Sequence, residues 1–312
     1  MKFIVCVTFL SLCTSGFSRS KAVDKSEKKG KAHGYKRVMK KPQVDQCSDP
    51  CYLKYFAGGS VPTGLNLSNS VAMSCICQTD KSGNDYFATY FYDDAGIAAY
   101  SAYTIQASDA KDIGKYKRPQ VKWEDNKGIT KEGTDALYKG SSAYKIDRGH
   151  LNPNYINSYD KNHQIATFKY TNAVPQYQSS NRRSWRVFEA KIAKYVKTNC
   201  KQVGSNMYLI TGTSNYLFDS STNGRTGAMI ELFPPGNPNG IVRPNSLWTA
   251  GCCVVSKTTA WSIAVWGNNV KVDAETISLS LKDLEKLLGT SPGPPANLFP
   301  GIPLCRNDSR QL

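Results

Sequence analysis

Ten cysteines restrict the fold of this 312-residue chain more than any other feature of its sequence. Cys6 and Cys13 fall within residues 1–18, which are typical of a secretory signal peptide because Lys2 precedes a short apolar run. Removal of that segment leaves 10 − 2, or eight, cysteines. An even number of cysteines in an exported chain favours a domain that is cross-linked by disulfides. The eight are Cys47, Cys51, Cys75, Cys77, Cys200, Cys252, Cys253 and Cys305.

The pairing of these cysteines is left open by the sequence, since eight cysteines allow 105 connectivities. A zinc site is the alternative to disulfides at the two close pairs, Cys47 with Cys51 and Cys75 with Cys77, because their spacing resembles that of metal-binding knuckles. The oxidising environment of an exported protein favours the disulfides.

The remaining signals for location also indicate export. No stretch after the signal approaches the roughly 20 apolar residues that are needed to span a membrane. Asn66 and Asn307 each begin the N-x-S pattern of a glycosylation acceptor. We therefore expect a secreted, extracellular glycoprotein, whose oligomeric state the sequence does not specify.

Positive charge is concentrated near the start of the mature chain. The formal net charge is +16, and residues 19–41 hold ten Lys/Arg and two acidic residues, 10 − 2 or +8. The segment 19–46 has few large apolar side chains, so it is predicted to be disordered. It could act as a solubilising or propeptide arm, or as an arm that binds a polyanion.

The segment from Cys47 to Cys305 has the composition of one globular domain, followed by a short tail at 306–312. Apolar residues recur at helical spacing after Asn181, and a second helix is predicted over Ala274–Leu288, where Gly289 ends it. A hairpin and three further strands are predicted at Tyr86–Asp94, Ala98–Gln106, Met207–Thr213, Leu247–Val255 and Thr259–Trp266. This order of elements indicates an α+β fold.

The most informative local motif is DRGH, Asp147 to His150. In an extended segment Arg148 and His150 point to one side and Asp147 points to the other, while Gly149 leaves room for close approach of another backbone. Phosphodiester hydrolysis needs such a pair, because a base must take a proton from water and a cation must balance charge on the phosphorane. A histidine at the end of a strand is more often an ordinary hydrogen-bonded residue, so the motif needs a second signal.

That second signal follows 20 to 40 residues later, as TNAVPQ (Thr171 to Gln176) and NRRSWRVFE (Asn181 to Glu189). With DRGH, these elements resemble the DNA/RNA non-specific endonuclease family, whose pattern is DRGH, S/T-N-x-x-P-Q and a helical N-x-x-x-W-x-x-x-E. The sequence departs from that pattern around the helix start, where Ser180 replaces the usual leucine and Arg182-Arg183 follow the asparagine.

The resemblance implies a ββα-metal (His-Me finger) nuclease core, with a mixed or antiparallel sheet and packed helices, that cleaves DNA and RNA with Mg²⁺, for which Mn²⁺ is the alternative. It implies that His150 is the general base, that Asn181 binds the metal and that Glu189 holds the hydrated metal through water. It implies further that Arg148 and Arg118 lie at the phosphate and that one disulfide joins Cys47 to Cys51. The added cations Arg182 and Arg183 are expected to contact substrate phosphates.

The water-mediated role of Glu189 is also favoured by helix geometry. Eight residues of a regular α-helix rise about 12 Å, so Asn181 and Glu189 cannot easily bind one ion directly, although both look toward the same side.

A second function remains open at this stage, a catalytically inactive protein that binds extracellular polyanions or matrix. The charge of the chain fits that function as well as it fits a nuclease. A pure binding protein, however, has no chemical need for His150, Asn181, Glu189 and Arg148 together.

Overall fold

The computed structural model describes residues 47–66, 72–227, 229–272, 274–290 and 292–312. The predicted signal peptide and the basic segment 19–46 lie outside the described residues. Within the described ranges, no helix is long and apolar enough to cross a membrane.

A seven-stranded antiparallel sheet forms the centre of the fold. The strands of the described residues, in chain order, are β1 (Met73–Thr79), β2 (Asp85–Tyr92), β3 (Ile97–Ile105), β4 (Ile146–His150), β5 (Ala173–Tyr177), β6 (Met207–Ser214), β7 (Tyr216–Asp219), β8 (Gly224–Gly227), β9 (Glu231–Phe233), β10 (Ile241–Arg243), β11 (Ser246–Val254), β12 (Ala260–Asn268) and β13 (Thr276–Leu279). The sheet has the order β1-β2-β3-β6-β11-β12-β13, and β4–β5, β7–β8 and β9–β10 form separate pairs. The predicted hairpin and the three further strands are confirmed, with ends that differ by no more than two residues.

Helices cover both faces of the sheet, because alternate residues of its strands are apolar on opposite sides. Phe87 of β2 packs in the same core as Phe188 and Ile192, whereas the adjacent Ala88 packs in a second core with Leu284. The helices are α1 (Pro50–Leu53), α2 (Asp135–Tyr138), α3 (Lys161–Ala166), α4 (Arg186–Tyr195) and α5 (Leu281–Leu288), with π-helical turns at Ser180–Trp185 and Val196–Cys200 on either side of α4.

The predicted apolar stripe on the long helix is confirmed. Trp185, Phe188, Ile192 and Val196 are each at most 4% exposed and lie against the sheet. The helix is not a regular α-helix from Asn181, however, because its first turn is π-helical. A π turn closes hydrogen bonds from residue i to i+5, so it changes the direction in which the following side chains point.

The second helix begins later than predicted, at Leu281 and not at Ala274. Residues 276–279 instead form edge strand β13, which pairs with β12. Ser280 then caps the helix, since its hydroxyl accepts a hydrogen bond from the backbone N–H of Asp283 at 3.1 Å. Residues 306–312, predicted to form a tail, also lie against β12, where the N–H of Arg310 donates to the carbonyl oxygen of Ser262 at 2.8 Å.

The disulfide that was expected between Cys47 and Cys51 is absent. Cys47 is bonded to Cys75 and Cys51 to Cys77, and the other two bridges are Cys200–Cys253 and Cys252–Cys305. The reason lies in β1, where Cys75 and Cys77 are two residues apart and therefore present their side chains on the same face. Both side chains point toward the segment around α1, so Cys75 forms a disulfide with Cys47 and Cys77 forms one with Cys51. The zinc alternative is excluded at these four positions, because every thiol is oxidised.

Peptide mapping without reduction should recover Cys47 linked to Cys75 and Cys51 linked to Cys77. Each bridge closes a loop with a sequence separation of 26 to 28 residues, so replacing one pair by serine should lower the free energy of unfolding by about 3 to 4 kcal/mol in the chain-entropy account. A peptide that joins Cys47 to Cys51 would contradict this pairing.

Candidate active site

One cavity of about 680 Å³ collects most of the residues that the motifs single out. Its wall is formed by β4, the first turns of the long helix, the loop before residue 124 and the segment around α3. The residues that line it are Tyr116, Arg118, Trp123, Ser141, Asp147, Arg148, His150, Asn154, Tyr155, Gln164, Asn181, Arg182, Arg186 and Glu189.

The hairpin of β4 and β5 presents the DRGH motif to this cavity. Gly149 pairs with Val174, and a Cβ atom at Gly149 would lie 2.1 Å from the side-chain oxygen of Gln176. Any larger residue would therefore displace Gln176, whose amide nitrogen donates to the hydroxyl of Ser180 at 3.1 Å. The close neighbour of Gly149 is thus the side chain of Gln176, where a backbone was expected, and it connects the strand to the start of the helix.

His150 is buried at the base of the cavity, with 7% of its surface exposed. Its ring packs against Trp123 and Phe168, at centroid distances of 4.6 and 5.1 Å. Burial, with a smaller effect of the Arg118 cation, holds the pKa of His150 well below its usual range. Its Nε2 atom has no hydrogen-bond partner among the described residues. The imidazole is therefore neutral at physiological pH.

Asn172 fixes the backbone that follows His150. Its side-chain oxygen accepts hydrogen bonds from the Ser101 hydroxyl at 3.0 Å and from the N–H of Asn152 at 2.8 Å. Its amide nitrogen donates to the carbonyl oxygens of Asn152 and Thr167 at 3.1 and 3.0 Å. The side chain is fully buried, so Asn172 is a structural residue of the site.

Asn181 and Arg182 both bind Asp147. The amide nitrogen of Asn181 donates to Asp147 at 3.0 Å, and Arg182 forms two hydrogen bonds to the same carboxylate at 2.7 and 2.6 Å. Burial opposes ionisation of Asp147, but these hydrogen bonds keep its pKa below the usual range. Asp147 was expected to point away from Arg148 and His150; it lines the cavity because the helix start returns beside β4.

The amide oxygen of Asn181 and the carboxylate of Glu189 are the oxygens available to a metal. Neither has a hydrogen bond from any described residue, and Glu189 forms no ion pair within that part of the chain. Burial raises the pKa of Glu189 to about 8, an effect that the Arg118 cation opposes. A partly buried carboxylate without a partner is unfavourable unless a cation neutralises it.

Two arginines lie beside His150. Arg118 lies 5.1 Å from the ring centroid of Phe168. Arg148 forms an ion pair with Asp135 at 3.0 Å, and three aromatic rings surround its guanidinium at 5.3 to 5.9 Å. These contacts hold both cations in place near His150.

The structure thus brings six of the seven predicted polar site residues together: His150, Arg148, Arg118, Asn181, Glu189 and Arg182. Arg183 does not line the cavity, and Arg186 lines it instead. Sequence reasoning did not include Trp123, which lies in the irregular stretch after Arg118, where no periodicity indicates its direction. It also did not assign Asp147 a role in holding Asn181.

The fold is that of a ββα-metal nuclease, and residues 71–292 match the DNA/RNA non-specific endonuclease family, to which the chain belongs. It is 24% identical over 253 residues to the Endonuclease domain-containing 1 protein of Mus musculus and 25% identical over 256 residues to that of Homo sapiens. Both matches cover 77% of this chain and 45% of the relative, so the chain spans less than half the length of these relatives.

A chain in the crystal structure of the EndoG/EndoGI complex has the same fold. It superposes with a TM-score of 0.51 at 16% identity, over 66% of this chain and 82% of that chain. Membership of the family implies a nucleic-acid substrate and a divalent metal. The four disulfides agree with an extracellular protein.

Proposed function

We propose that the chain is a secreted, Mg²⁺-dependent endonuclease that hydrolyses DNA and RNA with little sequence preference. The observation that carries this proposal is that His150 shares one cavity with the unpaired oxygens of Asn181 and Glu189. A protein that only bound polyanions would gain nothing from burying an unpaired carboxylate among its binding cations.

The donor set fits Mg²⁺, because an amide oxygen and a carboxylate are hard ligands and the cavity has room for the waters that this ion keeps. Asn181 would hold it directly and Glu189 through water, and Mn²⁺ has similar requirements. When bound, the ion would stabilise negative charge on the phosphate and on the leaving oxygen.

The other steps belong to the side chains of this protein. Neutral His150, which lines the cavity, takes the proton from the attacking water. Arg118 and Arg148 balance the charge that develops on the phosphate. Asp147 orients the Asn181 amide so that its oxygen remains free. Little sequence preference follows, since contacts of this kind are made to phosphate and not to bases.

Removal of divalent metal should abolish cleavage of both plasmid DNA and RNA, and added Mg²⁺ should restore it. The physical reason is that no cationic side chain among the described residues forms a hydrogen bond or ion pair with the Asn181 oxygen or the Glu189 carboxylate, so none takes the place of the ion. Gel assays with and without a chelator provide the measurement, and His150→Ala protein purified in the same way controls for contaminating nuclease. Cleavage that persists in chelator would exclude the metal-dependent mechanism; binding without any cleavage would support the polyanion-binding alternative.

The basic segment at residues 19–41 should add affinity for nucleic acid but no chemistry. Its net charge of +8 is half of the total, and each phosphate contact contributes about 0.9 to the slope of log K against log salt on duplex DNA. A chain that begins at Gln46 should therefore show a flatter salt dependence of binding than the longer chain, at an unchanged turnover rate in low salt. An equal slope for both chains would leave the segment a solubilising or processing role.

A further inference from the structure

Two exposed tyrosines stand in the wall of the cavity. Among the described residues, three aromatic side chains are more than a third exposed: Tyr116 at 39%, Tyr144 at 44% and Tyr155 at 46%. Tyr116 and Tyr155 both line the cavity that contains His150, whereas Tyr144 does not. Aromatic rings are usually buried for stability, so two exposed rings in one functional cavity indicate a contact with a ligand.

The two rings are held on neighbouring segments by backbone contacts. The N–H of Tyr116 donates to the carbonyl oxygen of Ser158 at 3.0 Å, and the N–H of Gly114 donates to the Ser158 hydroxyl at 2.6 Å. Ser158 in turn closes the turn that begins at Tyr155, with its N–H donating to the Tyr155 carbonyl oxygen at 3.1 Å. The rings are therefore carried by a fixed wall and not by a free loop.

Neither hydroxyl explains the position of its ring. The hydroxyl groups of Tyr116 and Tyr155 form no hydrogen bond with any described residue. The hydrogen bonds of these residues are made by their backbones; Gln164, for example, donates to the carbonyl oxygen of Tyr116 at 3.4 Å. Lys115 Nζ lies 5.5 Å from the centroid of the Tyr116 ring, so a cation already faces one side of that ring. The Tyr155 ring and the other face of the Tyr116 ring are left to contact a ligand.

The same cavity supplies cations for the phosphates. Arg118, Arg148, Arg182 and Arg186 line it against Asp147 and Glu189, an excess of 4 − 2 positive charges. Its volume of about 680 Å³ lies within the range of sites for small ligands, roughly 300 to 1,000 Å³. Arginines that follow a phosphate backbone beside exposed aromatic rings are the combination found in sites for single-stranded nucleic acid.

We infer that Tyr116 and Tyr155 stack on the bases of unpaired nucleotides next to the scissile phosphate, so that this enzyme binds single-stranded nucleic acid more tightly than duplex. The inference rests on the proposed function. In a duplex the base faces are stacked on each other and are closed to a protein ring, whereas every unpaired base offers a face. The preference is thus for strandedness and not for sequence, because all four bases have aromatic faces.

Binding of labelled oligonucleotides to the full chain in the presence of a chelator tests this inference. The probes are a single strand of about 12 nucleotides, which is within the usual site size, the corresponding duplex and an abasic strand of equal length. Tyr116→Ala and Tyr155→Ala should each weaken single-strand binding by about 5- to 150-fold and leave duplex and abasic binding nearly unchanged. Tyr155→Phe should retain the affinity, because it keeps the ring, and Tyr144→Ala is the matched control outside the cavity.

Equal losses on the single strand and the abasic strand would overturn the inference, since they would place the tyrosines at the phosphate backbone. An unchanged affinity of both alanine variants for the single strand would overturn it as well. The proposed function is tested separately by metal-dependent cleavage with the unaltered chain. Ring-dependent binding without cleavage would therefore refute the nuclease and leave the stacking sites supported.

Discussion

His150→Ala should lower the rate of phosphodiester cleavage by about 10² to 10⁴, which is the usual contribution of a positioned base. Nucleic-acid binding should change little, because the arginines that line the cavity remain. The unpaired Nε2 atom makes no hydrogen bond that the variant would lose, so the fold should also persist. Single-turnover cleavage of plasmid, measured beside circular dichroism and binding, separates these effects.

His163→Ala is the matched control for this variant. His163 is the other histidine among the described residues, and its ring is hydrogen-bonded to the hydroxyl of Tyr159 at 2.7 Å, outside the cavity. This control should cleave at close to the wild-type rate. A folded His150→Ala protein that digests plasmid as fast as the control would end the assignment of His150 as the base.

Asn181→Ala should impair cleavage more severely than Glu189→Gln. Asn181 is proposed to supply the direct protein ligand, whereas a group that acts through water typically matters 10- to 100-fold. The rate of each variant should be followed against Mg²⁺ concentration, because loss of a ligand also raises the concentration that is needed. Arg183→Ala, an exposed residue of the same helix turn that does not line the cavity, is the control.

Asn181→Ala is expected to cause the larger loss of cleavage only if Glu189 binds the ion through water and not directly. A structure with Mg²⁺ that placed a Glu189 oxygen at about 2.1 Å from it would show direct binding and would contradict the proposed arrangement. Equal rates for the two variants would contradict it also.

The sequence predicts well whatever depends on local pattern. The strands follow from runs of aromatic and β-branched residues, and the buried stripe of the long helix follows from its spacing. The positions of Arg148 and His150 on one side of β4 follow from strand alternation alone. These inferences need no knowledge of distant contacts.

What the sequence does not predict depends on contacts between distant segments. The pairing of Cys47 and Cys51 depends on the face of β1 on which Cys75 and Cys77 lie. The ion pair of Arg182 with Asp147 likewise joins residues 35 positions apart. The π turn is a further case. On a regular α-helix Arg186 would point about 140° away from Asn181. The wider turn reduces that angle, so Arg186 lines the cavity while Arg183 does not.

The adjacent cysteines of β11 have a consequence for when the protein can act. Cys252 and Cys253 point to opposite faces of the sheet, so one strand is covalently tied to Cys305 on one side and, on the other, to Cys200 at the end of the helix that carries Asn181. Before oxidation, that helix has no covalent cross-link to the sheet among the described residues. We therefore expect full activity only after the chain has reached an oxidising compartment, which would spare the nucleic acids of the cell that makes it.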